Sequence, residues 1–328
     1  MIIISRCPFR ISLLGGSSDL DWYVNQTGIG LSIGFSIKLY SRVILSHRES
    51  SNKGLLNYSS REEYKDIDSI SHPIIRSCLK RFNINRKLEL CSIGENLSGS
   101  GLGSSSSFTV SLINAISKLY SLKLNEHEIA HHASEIEITD LRNPIGRQDQ
   151  YLCALGGVNI LEFKPRGIVN SINQSSINSA IEEFSKKLYL INTKISRSAT
   201  EKLSDLKKKE NTTELINNLL KIATTFIDKS INLNKNDIQQ LLEISMLEAW
   251  KVKKKMHGVM TRDLINIENL IINSDFSVLK LLGAGGGGYF LVLFKGKNIE
   301  KAKSSLVDNG LNISSVELSS EGCSTCLF

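Results

Sequence analysis

The amino-acid sequence predicts an α+β fold in two domains, and three observations support this. Its 328 residues suffice for two domains of ordinary size, each with its own core. Hydrophobic residues make up 41% and charged residues 22% of the chain, as in a globular enzyme. Segments with strand-like and helix-like spacing are mixed in both halves, which favours α+β over a regularly alternating parallel sheet.

The first strands are predicted within residues 2–46. Apolar and β-branched residues recur at short period in IIISR, FRISLL and LSIGFSIKLYSRVILSH. In the last of these, every odd-numbered residue from Leu31 to Leu39 is apolar, so these side chains share one face. Arg6 and Arg10 interrupt the apolar opening, which therefore indicates strands and not a signal peptide.

The middle of the chain predicts a strand, a loop and three helices. The strand LELCSIG (88–94) leads into the loop GENLSGSGLGSSSSF (94–108), and SFTVSLINAISKLYSL then has helical spacing. A second helix starts near Asn125 and runs through EHEIAHHASEIEI. A third covers RQDQYLCALG and ends at Gly156 and Gly157, before the strand VNILEF.

The less regular residues 164–186 suggest a boundary between domains 1–165 and 166–328. Beyond it, KLYLINT (187–193) predicts a strand and residues 198–273 are mostly helical in pattern. The alternation in LLGAGGGGYFLVLF, a helix near 298–308 and LNISSVEL complete the second half.

Charge and cysteine content limit the classes of function. The net charge is +7, but the basic clusters KRFNINRK, DLKKKE and KVKKK are scattered and lack a stacking platform, so we expect solvated helix faces and no nucleic acid. No run approaches the ~18 apolar residues of a membrane span. Six thinly spread cysteines fit reduced thiols in the cytoplasm, and Cys323-x-x-Cys326 lacks a second ligand pair for zinc.

The glycine loop has the properties of an anion site. A helix N-terminus offers unpaired N–H groups, and glycine lets the backbone approach a phosphate. GSGLGSSSS satisfies both demands, and its hydroxyls are possible ligands of Mg²⁺. It is neither a Walker A loop nor a dinucleotide fingerprint. On the loop alone, phosphate binding and a flexible turn with accidental serines both remain open.

Four segments together resemble the GHMP small-molecule kinases, and within that superfamily the bacterial D-glycero-D-manno-heptose 7-phosphate kinases. They are PFRISLLGGSSDLDWY (8–23), GSGLGSSSSF (99–108), EIEITDLRNPIGRQDQY (135–151) and KLLGAGGGGYFLVLF (280–294), in the order of the family. The resemblance implies the two-domain GHMP kinase fold with the active site in the inter-domain cleft. It also implies ATP, Mg²⁺, a sugar or sugar-phosphate acceptor and no membrane partner, and it leaves a homodimer open.

The same resemblance implies roles for individual residues. Asp149 would take the proton of the acceptor hydroxyl or orient it, Arg10 would offset developing charge, and Ser105 with Glu137 would hold the metal. The residues expected to bind ATP are Gly99, Ser100, Gly101, Leu102, Gly103, Ser104, Ser105 and Ser106, with Gly285 and Gly286 of the third motif (283–288). Those expected to hold substrate hydroxyls are Gly16, Ser17, Ser18 and Asp19.

Two departures from the family pattern are visible. The proline that usually precedes the nucleotide loop is absent, and Leu97 and Ser98 stand there. GGSSD (15–19) replaces the commoner GGGTD, which affects the expected contacts of Ser17 and Ser18. A phosphorylated sugar also needs a basic socket, for which Arg147 and Arg197 are the candidates; the alternative is that they are ordinary surface arginines.

Physical reasoning bears on the same residues. Phosphoryl transfer needs donors around the phosphates, a metal, a cation and a carboxylate. Taken singly, Glu137 and Asp149 would be ordinary helix-surface charges. Arg10 lies among apolar neighbours in FRISLL, where an unpaired charge would be costly.

Other functions remain as alternatives. HEIAH (127–131) has the spacing of a zinc protease helix. Against it, Asn125 and Glu128 form a capping-box pattern that explains the glutamate, and no third ligand is evident. A kinase for a galactose- or fucose-like sugar, or a kinase-like protein that binds sugar or nucleotide without catalysis, would also fit the motifs.

Overall fold

A computed structural model describes residues 1–94, 99–195, 211–274, 276–295 and 299–328. Its larger sheet has eight strands in the order β12-β1-β2-β5-β3-β4, with β6 added to β2 and β7 to β6. Only β3 and β5 pair in parallel among these strands. The strands are β1 (Ile2–Leu14), β2 (Gly30–His47), β3 (Gly54–Asn57), β4 (Arg61–Tyr64), β5 (Leu88–Gly94), β6 (Val158–Lys164), β7 (Ile168–Ile172) and β12 (Ser324–Leu327).

Helices cover this sheet and carry the glycine-loop motif. They are α1 (Asp21–Thr27), α2 (Pro73–Arg81), α3 (Ser104–Leu119), α4 (Glu126–Ser134) and α5 (Gln148–Leu155), with a π-helical turn at Glu135–Asp140. The predicted capping box is confirmed, because Asn125 and Glu128 exchange hydrogen bonds at the start of α4. The apolar α3 packs on β1 and β2, which fixes its N-terminus above the sheet.

The predicted alternation of β2 is present, but both of its faces are covered. Leu31, Ile33 and Phe35 point into the core. On the other face, Ser36 donates a hydrogen bond of 2.6 Å to the carbonyl of Leu152 in α5. The small side chains of that face therefore let α5 lie directly on the sheet, which positions the residues at its N-terminus.

A second, antiparallel sheet has the order β11-β8-β10-β9. Its strands are β8 (Tyr189–Asn192), β9 (Phe276–Leu281), β10 (Tyr289–Phe294) and β11 (Asn312–Ser315). Its helices are α6 (Ser175–Ser185), α7 (Thr212–Ser230), α8 (Lys235–Lys253), α9 (Arg262–Ile272) and α10 (Ile299–Asp308). A core cluster joins residues of β1 and β2 to this layer, so the two sheets share buried contacts.

The sequence predicted most of these elements, and the mixed α and β composition confirms the predicted class. The boundary at residue 165 stays a prediction. β7 and β12 lie beyond it in sequence yet join the larger sheet, through β6 and β1 respectively. Within the described ranges, no helix combines the length and the apolar character that a bilayer crossing requires. All six cysteines are free thiols.

Candidate active site

A cavity of about 960 Å³ opens between the two sheets. Its walls come from β1 and the loop after it, the N-termini of α3 and α5, the C-terminal end of α8, and β9 with the glycine run that follows. Its volume suits a small molecule or two. All four sequence segments that resemble the GHMP kinases therefore contribute residues to the wall of this cavity.

The nucleotide loop and the third glycine motif touch each other at one wall. A Cβ added to Gly283 would lie 2.5 Å from the Cα of Gly101. The two backbones can therefore approach this closely only with glycine at position 283. Gly103, Ser104, Ser105 and Ser106 line the cavity at the N-terminus of α3. This arrangement presents backbone N–H groups where a phosphate could bind.

Arg10 and Asp149 form an ion pair across the cavity floor. Arg10 donates from Nε to Oδ1 of Asp149 at 2.6 Å and from Nη2 to Oδ2, and its Nη1 donates to the carbonyl of Gly101 at 2.5 Å. The arginine side chain is 5% exposed and the aspartate 24% exposed. The guanidinium has its pKa raised by Asp149, although burial alone would lower it. The pair links the catalytic candidates directly to the nucleotide loop.

Glu137 and Ser105 form a second polar pair. Ser105 Oγ donates to Oε1 of Glu137 at 2.8 Å, and Nε2 of Gln150 donates to Oε2 at 2.6 Å. Burial raises the pKa of Glu137. The π-helical turn, a feature frequent at functional sites, aims this carboxylate inward. A carboxylate and a hydroxyl are hard oxygen donors, and they fit Mg²⁺.

Asp19 forms a third polar group on the substrate side. It accepts hydrogen bonds from the backbone N–H of Ser17 and from both the backbone and the side chain of Gln148. A Cβ at Gly146 would lie 1.9 Å from Oδ2 of Asp19, so glycine is required there. Burial raises the pKa of Asp19 to about 6, more than these hydrogen bonds lower it.

Of the other residues predicted to bind ATP or substrate, some line the cavity and some do not. Gly16, Ser17, Gly99 and Gly101 line the cavity. Ser18 is buried, and its hydroxyl donates to the carbonyls of Gly15 and Leu31, so it stabilises the loop. The other predicted residues that do not line the cavity are Ser100, Leu102, Gly285 and Gly286; the last donates its N–H to the carbonyl of Val259.

Arg147, a candidate to bind the phosphate of the sugar, lies outside the cavity and is paired with two carboxylates. Its guanidinium is bidentate to Asp21, at 2.7 and 2.8 Å, and donates to Glu135 at 2.9 Å. It is buried and does not line the cavity. We correct its role to a structural one. Arg197, the other candidate for the socket, lies outside the described residues.

The HEIAH segment is explained by packing. His127 stacks edge-on against Tyr151, and its Nε2 lies 3.5 Å from the hydroxyl of Ser171. In the part of the chain that the structure describes, no group of three histidine, cysteine or carboxylate side chains could hold a metal. This geometry gives no support to the protease alternative.

Two lysines in the cavity were not anticipated. Lys253, at the end of α8, donates to the carbonyls of Gly283 at 2.5 Å and Leu281 at 3.4 Å. Lys280, in β9, donates to the carbonyls of Ser12 and Leu13. Burial lowers the pKa of Lys253 to about 8 and that of Lys280 well below its ordinary value.

The sequence pattern around Lys253 and Lys280 could have identified both residues. Met246, Ala249 and Trp250 are buried, and Lys253 continues the same face of α8 at helical spacing. Lys280 stands in an apolar strand run, the signal that singled out Arg10.

Two comparisons of the sequence with known proteins find kinases. Residues 73–157 match the GHMP kinases N terminal domain. The D-glycero-alpha-D-manno-heptose 7-phosphate kinase of Campylobacter jejuni is 29% identical over 304 residues, which is 88% of each chain.

Solved structures match the fold along almost the whole chain. The crystal structure of a D-glycero-D-manno-heptose 1-phosphate kinase from Bacteriodes thetaiotaomicron has a TM-score of 0.79, with 20% identity over 99% of both chains. Galactokinase of Lactococcus lactis has a TM-score of 0.74, with 16% identity over 98% of this chain and 95% of that one. At these identities the likeness shows the fold alone.

Proposed function

We propose that this sugar kinase, whose residues 73–157 match the GHMP kinases N terminal domain and whose fold matches theirs, uses ATP as its donor and D-glycero-D-manno-heptose 7-phosphate as its acceptor. The γ-phosphate of ATP would pass to the anomeric hydroxyl and give the 1,7-bisphosphate, on the way to a nucleotide-activated heptose. ATP as donor, Mg²⁺ as metal, the cytoplasm as location and a homodimer as assembly stay predictions, as do the two domain ranges.

The observation that carries the proposal is the meeting of two polar pairs in one cavity. Arg10 with Asp149 and Ser105 with Glu137 both lie beside the glycine loop at the start of α3. These are the parts that phosphoryl transfer asks of a protein: positioned donors, a metal ligand set, a cation and a carboxylate. The choice of a heptose 7-phosphate is supported by the relative from Campylobacter jejuni.

The residues would act as follows. Backbone N–H groups of the loop and the N-terminus of α3 bind the phosphates of ATP. Glu137 and Ser105 would hold Mg²⁺, and the metal would supply positive charge to the phosphate oxygens. Asp149 accepts a hydrogen bond from the anomeric hydroxyl and takes its proton as the bond to phosphorus forms.

The pairing of Asp149 with Arg10 determines how that carboxylate works. Two N–H donors of Arg10 fix the orientation of this carboxylate. A largely dissociative transition state needs little base strength from the protein, so orientation of the hydroxyl is the main contribution. Arg10 also places positive charge between the loop carbonyl of Gly101 and the reacting groups.

The acceptor side of the cavity has unsatisfied polar capacity. Among the described residues, the buried hydroxyl oxygen of Ser12 has no hydrogen-bond partner. It lines the cavity together with Gly16, Asp19 and Gln148. We expect sugar hydroxyls to bind there, because a buried polar atom without a partner costs free energy that a ligand can recover.

A panel of acceptors tests the proposal. Hexoses, heptoses and their phosphates are assayed for ADP release with ATP and Mg²⁺, and the product is identified by phosphorus NMR. We expect turnover with the heptose 7-phosphate and a new anomeric phosphate. Preference for galactose- or fucose-like sugars would replace the substrate but keep the kinase, whereas no ADP release with any acceptor would contradict the proposed function.

A further inference from the structure

Lys253 and Lys280 place two ammonium groups in the cavity wall without a counter-ion. Neither forms an ion pair with a carboxylate among the residues that the structure describes. Both hydrogen-bond only to backbone carbonyls there, which carry no net charge. Lys280 is buried and Lys253 is partly buried, and a cation removed from water in this way costs free energy unless an anion joins it.

Each ammonium keeps binding capacity. A lysine has three N–H donors. Lys253 uses two on the carbonyls of Leu281 and Gly283, and Lys280 uses two on those of Ser12 and Leu13. Both residues line the cavity, and the described part of the chain leaves one donor on each for a ligand.

The carboxylates near these lysines are engaged elsewhere. Asp149 receives both of its strong hydrogen bonds from Arg10. Asp19 is held by Ser17 and Gln148. The two lysines and Arg10 also repel one another, which contributes to the lowered pKa of Lys280. Among the described residues, the two lysines beside the glycine run therefore have no carboxylate in direct contact.

We propose that Lys253 and Lys280 together form a seat for a phosphoryl group, a phosphate monoester dianion supplying the direct anionic partner that neither lysine has among the described residues. Naming the source of that phosphate rests on the proposed function. It is either the phosphoryl group in transfer, since Gly283 touches the nucleotide loop, or the phosphate that the acceptor already carries. In both cases two charge-assisted N–H donors bind its oxygens.

Binding of inorganic phosphate tests the seat without any turnover. The thermal unfolding midpoint is measured against phosphate concentration for the wild type, Lys253→Met and the control Lys251→Met, an exposed lysine of the same helix. We expect the apparent phosphate affinity to fall about 10- to 100-fold in Lys253→Met and to stay unchanged in the control. Equal affinity in all three proteins, or no stabilisation of the wild type, overturns the seat.

Steady-state kinetics of the same variants then separate the two sources. A raised KM for the heptose 7-phosphate, with an unchanged KM for the unphosphorylated heptose, assigns the seat to the acceptor's phosphate. A lower kcat with both acceptors and unchanged KM values assigns it to the phosphoryl group in transfer. Wild-type kinetics in Lys253→Met would count against both assignments and against the seat.

The design keeps this inference separate from the proposed function. Phosphate binding that depends on Lys253, in a protein without sugar kinase activity, would refute the function and retain the seat. Lys280→Arg provides a second variant, because it keeps the charge and the contacts to β1 while moving the donors. We expect it to fold as the wild type and to bind phosphate more weakly than the wild type.

Discussion

One guanidinium, that of Arg10, holds both carboxylate oxygens of Asp149. The Nε to Oδ1 distance is 2.6 Å, and the second bond runs from Nη2 to Oδ2. The arginine is the more deeply buried partner, and both side chains line the cavity. The carboxylate that we propose to contact the acceptor hydroxyl is thus held in place by a residue 139 positions away in sequence.

Asp149→Asn should remove most of the turnover and leave ATP binding intact. The amide keeps the shape but cannot accept a proton, and its NH₂ group faces the donors of Arg10. We expect kcat to fall about 10²- to 10⁴-fold, the usual effect of losing a positioned acid or base. ADP release and ATP titration measure the two effects.

The control for this change is Asp140→Asn. Asp140 forms a similar two-bonded pair with Arg81, but this pair does not line the large cavity. Turnover of the Asp140 variant should match the wild type. Undiminished turnover of Asp149→Asn would show that another group receives the hydroxyl proton.

Glu137→Gln should raise the Mg²⁺ concentration needed for activity. The substitution removes the negative charge but keeps the size of a fully buried side chain. Gln150 can rotate to accept from the new amide, since its own Oε1 has no partner among the described residues. We expect a shift of about 10-fold or more in the half-saturating Mg²⁺ concentration, from the loss of a charged ligand.

Activity against free Mg²⁺ at fixed ATP measures this shift. The exposed Glu89 provides the control as Glu89→Gln. An identical Mg²⁺ dependence in the Glu137 variant and the wild type would remove Glu137 from the metal site.

The buried carboxylate of Asp19 should make stability depend on pH between about 4 and 6. Its pKa in the folded protein is about 6, against an ordinary value of 3.8, because burial disfavours the charge. The folded state therefore binds the proton more tightly. The stabilisation from this group is complete below the ordinary pKa and is lost as pH rises through the folded pKa.

Asp19→Asn, which does not titrate, reveals this contribution. The free energy of unfolding of the variant relative to the wild type should rise by about 3 kcal/mol from pH 4 to above pH 6. Urea denaturation at several pH values measures it. A difference that stays constant with pH would mean that Asp19 keeps an ordinary pKa.

Gly283→Ala should destabilise the protein and weaken ATP binding. Its φ is +69°, and the new Cβ would meet the Cα of Gly101 at 2.5 Å. We expect a loss of about 2–4 kcal/mol, from the left-handed backbone and the steric contact together. Gly310→Ala is the matched control, since Gly310 has a φ of +81° with nothing within 4 Å of the added Cβ. Urea denaturation of both variants should show the smaller loss in the control.

Arg147→Met should affect stability and not substrate affinity. The substitution leaves Asp21 and Glu135 without their shared partner. Breaking this partly buried network should cost about 2–4 kcal/mol of unfolding free energy. Urea denaturation measures the stability, and the KM for the sugar phosphate should match that of the wild type. A large rise in KM at full stability would restore Arg147 to the substrate socket.

The features that the sequence predicted correctly are those that depend on residues close together in the chain. The alternation in β2, the capping box at Asn125 and the strand–loop–helix at the glycine motif depend on neighbours a few residues apart. Arg147 was misassigned because its partners are set by tertiary packing, which brings α1 and the π-helical turn to it.

Lys253 was missed for a different reason. The pattern KVKKK predicts a solvated helix face, and Lys251, Lys254 and Lys255 are indeed exposed. Lys253 shares the buried face of α8 and meets the glycine run some 30 residues later in the chain. Composition cannot distinguish lysines within one run, although helical spacing can.

The pairing of β12 with β1 has a consequence for how the protein is made. Residues 324–327 hydrogen-bond to the strand that carries Arg10, so this edge of the sheet closes only after a segment 318 residues later in the chain has been synthesised. Until then β1 pairs with β2 alone among the described strands, and the backbone groups on its other edge can pair with other unfolded chains. Chaperone dependence and the yield of refolding should therefore respond to changes in the last strand as strongly as to changes in the first.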